Sequence, residues 1–532
     1  MSGTGTSRAL AAGSLVGLVA GLVMTLAFGL MRVVAGTPLP VELISDRIIP
    51  TFSIRQFFDL AALLGGLLQA KEISLLLSFP IQAAAGAVGG AVYAALAERD
   101  RIRRAEKERP FALSLTAMRA SVLGLGGLWI ISVLLLWPVL QSNYRGLPPT
   151  AARVTNALGL LVGFAFYGAT LIGGHRGMTT RATLGRSAPL GRPIGRRAFL
   201  MGGLAGLLVV ATGGLARFLF GRATVGPSGY DGLQVRGPHT EPVTPNDSFY
   251  VVTKNLIDPN VDEGLWRLEV TGAVERPHTY EFGELASLRS VEQVQTLQCI
   301  SNPVGGGLMS NAEWVGVPLR SLIEAARPRS EAERVVLHAS DGYVHVLPLA
   351  KAMEPTTLVA YRMNGLPLPH RHGYPARVLV PGTYGEVSVK WVDRIELTAE
   401  PIEGYYERQG WKPFFVQTTS RFDRPRQGEA FSLRSTPAVE LGGVAFAGDR
   451  GISRVEVSAD EGATWREAGI DYAPSRLAWA LWSSTWRPER PGEYTLSVRA
   501  TDGRGAVQTS RRRFVAPSGA SGYHLVRVKI DP

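Results

Sequence analysis

Cys299 is the only cysteine in 532 residues. It cannot form an intramolecular disulfide. A lone cysteine is most often a small buried hydrophobe, and its other common use is as a soft metal ligand. A thiolate in a dry pocket persists only where a metal or another cation compensates its charge. The residue sits in Thr296-Leu297-Gln298-Cys299-Ile300-Ser301-Asn302-Pro303-Val304-Gly305-Gly306, followed by Trp314-Val315-Gly316-Val317-Pro318-Leu319. A second stretch with chemical content is His372-Gly373-Tyr374-Pro375-Ala376-Arg377, continuing through Val378-Leu379-Val380-Pro381-Gly382 to Glu386-Val387-Ser388-Val389-Lys390-Trp391. Read as a strand, residues 386–391 put Ser388 and Lys390 on one face and Val387, Val389 and Trp391 on the other. A solvated strand face would explain Lys390. It would not explain the His-Gly-x-Pro-x-Arg spacing, whereas an Arg and a Lys from neighbouring strands are what a buried phosphate requires.

Together these two stretches resemble the sulfite oxidase family of molybdopterin enzymes. The first is similar to the family's cysteine loop and the second to its pterin- and phosphate-binding segment. The resemblance implies a molybdenum–molybdopterin cofactor (Mo-MPT) with Cys299 as the single protein ligand to the metal. It also implies His372, Arg377, Ser388, Val389 and Lys390 as cofactor contacts. Upstream, residues 244–255 resemble the family's first strand, which adds Asn246, Lys254 and Asn255 as candidate pterin contacts. Downstream, Gly404-Tyr405-Tyr406-Glu407-Arg408 falls where the family places an active-site tyrosine, so Tyr405 or Tyr406 is expected to border the metal. The segment Val457-Ser458-Ala459-Asp460-Glu461-Gly462-Ala463-Thr464-Trp465 resembles the sandwich domain that pairs subunits in that family. The likeness departs in one respect. Pro303-Val304-Gly305 and Val252-Thr253-Lys254 stand where the family's oxidases and nitrate reductases carry substrate-binding arginines. The anion pocket therefore reads as incomplete, which favours a neutral sulfoxide or N-oxide over sulfite or nitrate unless Arg362, Arg371 or Arg408 fills it.

These residues must be positioned by a chain of several parts. Its composition is 46% hydrophobic and 19% charged, too apolar for an average soluble protein. The excess lies before about Arg222, in runs Ala9–Met31, Ile73–Ala97, Ala120–Leu140, Thr155–Gly173 and Ala198–Phe220, each near the ~20 residues a spanning helix needs. Phe57–Ala70 is too short to span and reads as an interfacial helix. The net charge of +12 does not point to nucleic acid. It concentrates in two loops, Arg99, Arg101, Arg103, Arg104, Lys107 and Arg109, then Arg176, Arg181, Arg186, Arg192, Arg196 and Arg197, as in cytoplasmic membrane loops. Five crossings from an inside start place everything after Phe220 outside the plasma membrane. Gly195-Arg196-Arg197-Ala198-Phe199-Leu200 resembles a twin-arginine export signal inside the chain. The runs contain no histidine, which excludes a bis-histidine haem, and no central acid, which disfavours a transporter.

The expected architecture is therefore multidomain: a four-helix transmembrane bundle (1–180), the twin-arginine motif with a fifth transmembrane helix (181–224), an α+β molybdopterin domain (225–405) and a C-terminal immunoglobulin-like β-sandwich (406–532). Leu319–Ala326 reads as a helix, and Ser453–Ser458 and Tyr494–Arg499 as strands. The expected activity is two-electron oxygen-atom transfer on a small substrate at the outer face. Electrons would pass to or from a separate cytochrome, flavoprotein or quinone, and a homodimer would form through the last domain. The rival from another class is a non-catalytic membrane receptor or adhesion protein.

Overall fold

The computed structural model describes residues 3–65, 67–105, 114–182, 196–221, 240–412 and 415–532. Lys107 and Arg109 of the first basic loop, Arg186 and Arg192 of the second, Gly195 of the twin-arginine motif and the 224/225 boundary lie outside the described residues. Two compact units form. The first comprises Met1–Ile49, Leu60–Val225 and Asn255–Asp258; the second comprises Pro50–Asp59, Gly226–Lys254 and Pro259–Pro532.

The first part of the chain is helical: α1 (Gly3–Val34), α2 (Pro40–Ile48), α3 (Ile54–Leu63), α4 (Leu67–Ala105), α5 (Leu115–Leu136), α6 (Pro149–Ala182) and α7 (Arg196–Gly221). Ala9–Val34, Gln69–Asp100, Leu115–Val139 and Pro149–Arg176 are long and apolar enough to cross a membrane. In α7 the apolar stretch within the described residues is Gly206–Leu219, shorter than those four. Glycine brings α1 onto α4: a Cβ at Gly17 would stand 2.2 Å from the Gly86 carbonyl oxygen and 2.7 Å from Gly90 Cα, so the backbones touch.

Two expectations change here. Phe57–Ala70 is not one helix, because Gly65 (φ +85°) breaks it into α3 and the start of α4. Helix α6 runs past Gly173 and takes in His175, whose ring meets Tyr93 edge-on at 5.0 Å. His175 is still the only histidine before His239, so no bis-histidine pair arises. Just beyond the first apolar run, a buried ion pair, Arg32–Glu42 at 3.0 Å, joins α1 to α2.

The second unit opens with α/β structure. Its elements are β1 (Leu268–Gly272), β2 (His278–Tyr280), α8 (Phe282–Ser287), β3 (Val291–Gln298), β4 (Met309–Pro318), α9 (Leu319–Ala326), β5 (Arg334–Ala339), β6 (Val344–Pro348), β7 (Leu358–Met363), β8 (Leu366–Pro367), β9 (Arg377–Leu379) and β10 (Val392–Thr398). They make one sheet in the order β2-β1-β10-β5-β6 and another in the order β3-β4-β7-β8, with β9 pairing β7. Helix α9 forms as expected because Leu319, Leu322, Ile323 and Ala326 share one face, and all four are buried.

The β1–β10 pairing depends on Gly272. Its φ is +84°, and a Cβ there would lie 2.1 Å from the Leu397 carbonyl oxygen. Gly272→Ala is expected to destabilise this unit by about 2 kcal/mol or more. A denaturation midpoint equal to wild type would contradict that packing.

Residues 386–391 are not a strand. Gly385–Val387 is a 3₁₀ turn, and Trp391 takes φ +51° before β10 begins. The reason lies in Trp391, which is 1% exposed and donates its indole N–H to the His370 carbonyl at 2.8 Å. A pleated backbone cannot deliver both. The apolar face survives the change, since Val387, Val389 and Trp391 all enter the main core, but Ser388 is buried as well.

The C-terminal part is all strand: β11 (Thr419–Arg424), β12 (Ala430–Ser432), β13 (Val439–Phe446), β14 (Ile452–Ser458), β15 (Arg466–Tyr472), β16 (Ala480–Trp486), β17 (Gly492–Asp502) and β18 (His524–Asp531). The order is β11-β13-β16-β15-β14-β17-β18-β12. Strand β15 pairs β14 through residues 466–468 and β16 through residues 469–472, so the path turns at that strand. Alternating inward residues close one core around Phe422, Trp482, Leu496 and Val526.

Candidate functional site

Strand β3 ends at Gln298, and Cys299 begins the loop to β4. The Cys299 N–H donates to the Leu308 carbonyl at 2.9 Å, and the Asn302 N–H returns to the Cys299 carbonyl at 3.0 Å. Asn302 Oδ1 accepts from the Leu308 N–H at 2.9 Å, which locks the loop from inside. The thiol is buried among Phe249, Tyr250, Leu297, Trp314 and Leu379, with Ser301 Oγ at 3.0 Å. Burial first, and the negative neighbour Glu386 second, push the thiol up to about 11.

Glu386, quoted in the motif but given no role there, is the main surprise. Both carboxyl oxygens are buried, and desolvation pushes the group up to about 8 against the smaller opposing pull of the Glu386 and Ile300 backbone N–H groups. A Cβ on the adjacent Gly385 would lie 2.5 Å from Tyr250 Oη, so glycine is what lets this turn approach the Cys299 cluster. In cofactor-free protein, Glu386→Gln removes a negative neighbour of Cys299. Iodoacetamide should then alkylate the thiol roughly threefold faster at pH 10. An unchanged rate would mean that the two groups do not interact.

Arg377, on β9, is 4% exposed. Its Nη1 donates to the His372 carbonyl at 3.1 Å and its Nη2 to the Ser388 carbonyl at 3.0 Å, while Nε has no partner. Burial lowers the guanidinium to about 10. His372 is also buried. Its Nε2 donates to the Asn246 carbonyl at 3.1 Å, and burial, then the Arg377 charge, depress it to about 3. Its ring stands edge-on to Phe249 at 5.3 Å. Ser388 Oγ accepts from the Val380 N–H at 3.1 Å, and the Val389 carbonyl accepts from the Val378 N–H at 2.8 Å. Lys390 Nζ lies 3.2 Å from the Arg371 carbonyl and 4.3 Å from the Trp391 ring centre. These contacts link Asn246, His372, Arg377 and Ser388 in one hydrogen-bonded chain, with Val389 and Lys390 following Ser388 in sequence and bonded to Val378 and Arg371.

The other predicted residues lie elsewhere. Lys254 Nζ stands 5.6 Å from the Tyr405 ring centre. Tyr405 and Tyr406 pack with Tyr343, at 5.8 Å and 5.6 Å between rings, in the main core, and Tyr406 also packs against the cluster that holds Ile300 and Met309. Tyr343 nevertheless leads back to the site, since its hydroxyl donates to the Glu386 carbonyl at 3.0 Å. Asn255 lies apart from Lys254 in the division into units. It belongs to the first unit, where its carbonyl accepts from Lys71 Nζ at 2.8 Å. Of the arginines considered for an anion pocket, Arg362 spends Nη2 on the Gly365 carbonyl and Arg408 is exposed.

The donor set fits a pterin-bound metal. Among the described residues no group of three or more His, Cys, Asp or Glu is placed to hold an ion. The protein therefore offers one sulfur, suited to a soft metal whose remaining ligands arrive with a cofactor. Arg377 is a desolvated cation bonded to the His372 and Ser388 carbonyls, with one buried N–H left over, and a phosphate would satisfy it.

Residues 255–406 match the oxidoreductase molybdopterin binding domain, and residues 416–530 match the Mo-co oxidoreductase dimerisation domain. Fold and site thus define a molybdopterin oxidoreductase. Among relatives, "Sulfite oxidase" of Gallus gallus is 31% identical over 318 residues, covering 50% of this chain and 68% of its own. "Sulfite oxidase, mitochondrial" of Homo sapiens is also 31% identical, over 54% of this chain and 62% of that one, so this chain spans just under two thirds of the mammalian enzyme's length. "Nitrate reductase [NADPH]" of Neurospora crassa is 32% identical over 41% of this chain and 29% of its own. The chain belongs to the sulfite oxidase family of molybdopterin oxidoreductases, and its cofactor is molybdenum–molybdopterin.

Proposed function

We propose that this protein carries out two-electron oxygen-atom transfer on a small substrate, with Cys299 as the protein ligand to molybdenum. The observation that carries this reading is the buried Cys299 thiol on an internally hydrogen-bonded loop, inside a domain that also buries Arg377 against the His372 and Ser388 carbonyls. When bound, the cofactor supplies the redox chemistry and the oxygen-atom exchange with water. The chain's own residues bind and enclose it. Arg377 and Lys390 would face its phosphate, while His372, Ser388 and Val389 fix the cradle through backbone contacts, and Phe249, Tyr250 and Trp314 exclude water.

The helical unit is read as a membrane anchor. Support comes from four helices of spanning length and from the uncovered apolar surface of α5, where Leu123, Leu134 and Leu135 are 76%, 69% and 64% exposed. With α7 as a fifth crossing, the inside-positive loops would leave the molybdenum domain at the outer face of the plasma membrane. Electrons would go to or come from a separate cytochrome, flavoprotein or quinone. The C-terminal strands, read as an immunoglobulin-like sandwich, would pair two copies. Protease added to intact cells should cleave beyond residue 240 and spare the loop at 106–113; the reverse pattern would remove the outer-face assignment.

Metal and pterin analysis of the purified full-length chain, followed by turnover against sulfite, sulfoxides, N-oxides and nitrate, tests the activity. Near-stoichiometric molybdenum is expected. A fully matured chain without it would favour a non-catalytic receptor.

A further inference from the structure

Two segments of the second unit, 411–417 and 511–520, meet over one core. Trp411, Val416 and Val515 are buried in the cluster that holds Tyr384 and Trp479, and Ala516 and Ala520 pack against it. The Lys412 N–H donates to the Pro517 carbonyl at 2.9 Å, and Arg513 Nη2 donates to Gln417 Oε1 at 3.4 Å. With Val416 and Val515 turned inward, their chain neighbours face out. Phe415 is 52% exposed and Phe514 72%, and Lys412, Arg511, Arg512 and Arg513 are exposed beside them in the chain.

The charge of this surface has one sign. Residues 408–417 carry Arg408 and Lys412, residues 503–523 carry Arg504, Arg511, Arg512 and Arg513, and neither stretch contains an Asp or Glu. Outward phenylalanines among cations suit a lipid headgroup layer, where the rings sink toward the acyl boundary and the cations meet anionic headgroups. A third element points the same way. Ile54, the first residue of α3, packs against the same core. From there α3 runs on to Leu60 and Leu63, which are 44% and 82% exposed, and after the break at Gly65 the chain enters α4 and its spanning-length stretch Gln69–Asp100. The Arg55–Asp59 pair on α3, at 4.0 Å, leaves the sign of the surface unchanged.

We propose that Phe415, Phe514, Lys412, Arg511, Arg512 and Arg513 form a docking surface for an anionic lipid bilayer, on which the second unit rests. The proposal takes the helical unit as a membrane anchor, the reading given above. A second copy docked patch to patch would set these cations against themselves, which costs affinity. An acidic protein would match the charge, but it would leave unexplained why the helix packed on this core leads into a spanning stretch.

The test uses the full-length chain reconstituted into phosphatidylcholine vesicles with and without phosphatidylglycerol. Phe415→Cys carries an environment-sensitive fluorophore, and quenching by spin-labelled lipid reads its contact with the bilayer. Ala463→Cys, exposed at the turn between β14 and β15, is the control. Cys299 is buried, so the introduced thiol is the one that labels, and wild type taken through the same reaction gives the background. Quenching at position 415 is expected to be at least about twofold stronger with phosphatidylglycerol than without, and to fall by a similar factor when Lys412→Gln, Arg511→Gln and Phe514→Ser are added. Position 463 should not be quenched. Absence of quenching at 415, or quenching indifferent to phosphatidylglycerol and to those substitutions, would overturn the surface. Shielding of the fluorophore in detergent that rises with protein concentration would assign the patch to a second copy instead. A carbonate wash separates the two readings. A chain retained by the vesicles without quenching keeps the anchor and sinks the surface, whereas quenching in a chain that carbonate releases keeps the surface and sinks the anchor.

Discussion

Cys299→Ser is expected to lower turnover by at least about a hundredfold, more than is usual for losing an outer-shell partner of a metal ligand, with little change in the unfolding midpoint. The thiol adds one small side chain to a cluster already filled by Phe249, Trp314 and Leu379, and serine is nearly isosteric. Its own hydrogen bond, to Ser301, is one an alcohol can replace. What serine cannot supply is a soft, polarisable ligand. The corresponding expectation for cofactor-free wild type is an unreactive thiol at pH 8, because burial holds it protonated until about pH 11. Metal loading must therefore displace a proton, and its affinity should rise with pH across that range. Rapid alkylation of the apo chain at neutral pH would mean that the pocket is wet.

The second large effect is predicted for Arg377→Met. A buried charge that pairs with a phosphate contributes about 2–5 kcal/mol when truncated, so pterin retention after gel filtration should fall by at least tenfold. Arg377→Lys should recover only part of the loss, since a single ammonium cannot span the His372 and Ser388 carbonyls and still face an anion. Full retention in the methionine variant would place the cofactor phosphate elsewhere.

The parts of this site that could be read from the sequence are those carried by local spacing. His372 and Arg377 are five residues apart, and the Arg377 guanidinium bonds back to the His372 carbonyl across that short span. Cys299 stands alone in the composition, and the amphipathic period of Leu319–Ala326 is a property of eight neighbouring residues. What escaped is non-local or depends on backbone sign. Nothing in Glu386-Val387-Ser388-Val389-Lys390-Trp391 announces that Trp391 takes a positive φ, and alternating apolar residues satisfy a turn lying on a core as well as they satisfy a strand. Arg421 and His524 reach Gly305 and Gly306 from a different domain, and no pattern within a window of the sequence connects them. Asn255 adjoins Lys254 in the chain yet falls into the other compact unit, a division that only tertiary packing decides. No local spacing signals that the Glu386 carboxyl is buried, because burial of its oxygens depends on segments distant in sequence.

X-ray absorption at the molybdenum edge, comparing wild type with Cys299→Ser, bears most directly on the metal–sulfur bond. The account predicts that molybdenum is present in wild type and that its sulfur shell loses one scatterer in the variant. An unchanged sulfur shell in a variant that still holds molybdenum would show that Cys299 is not the ligand.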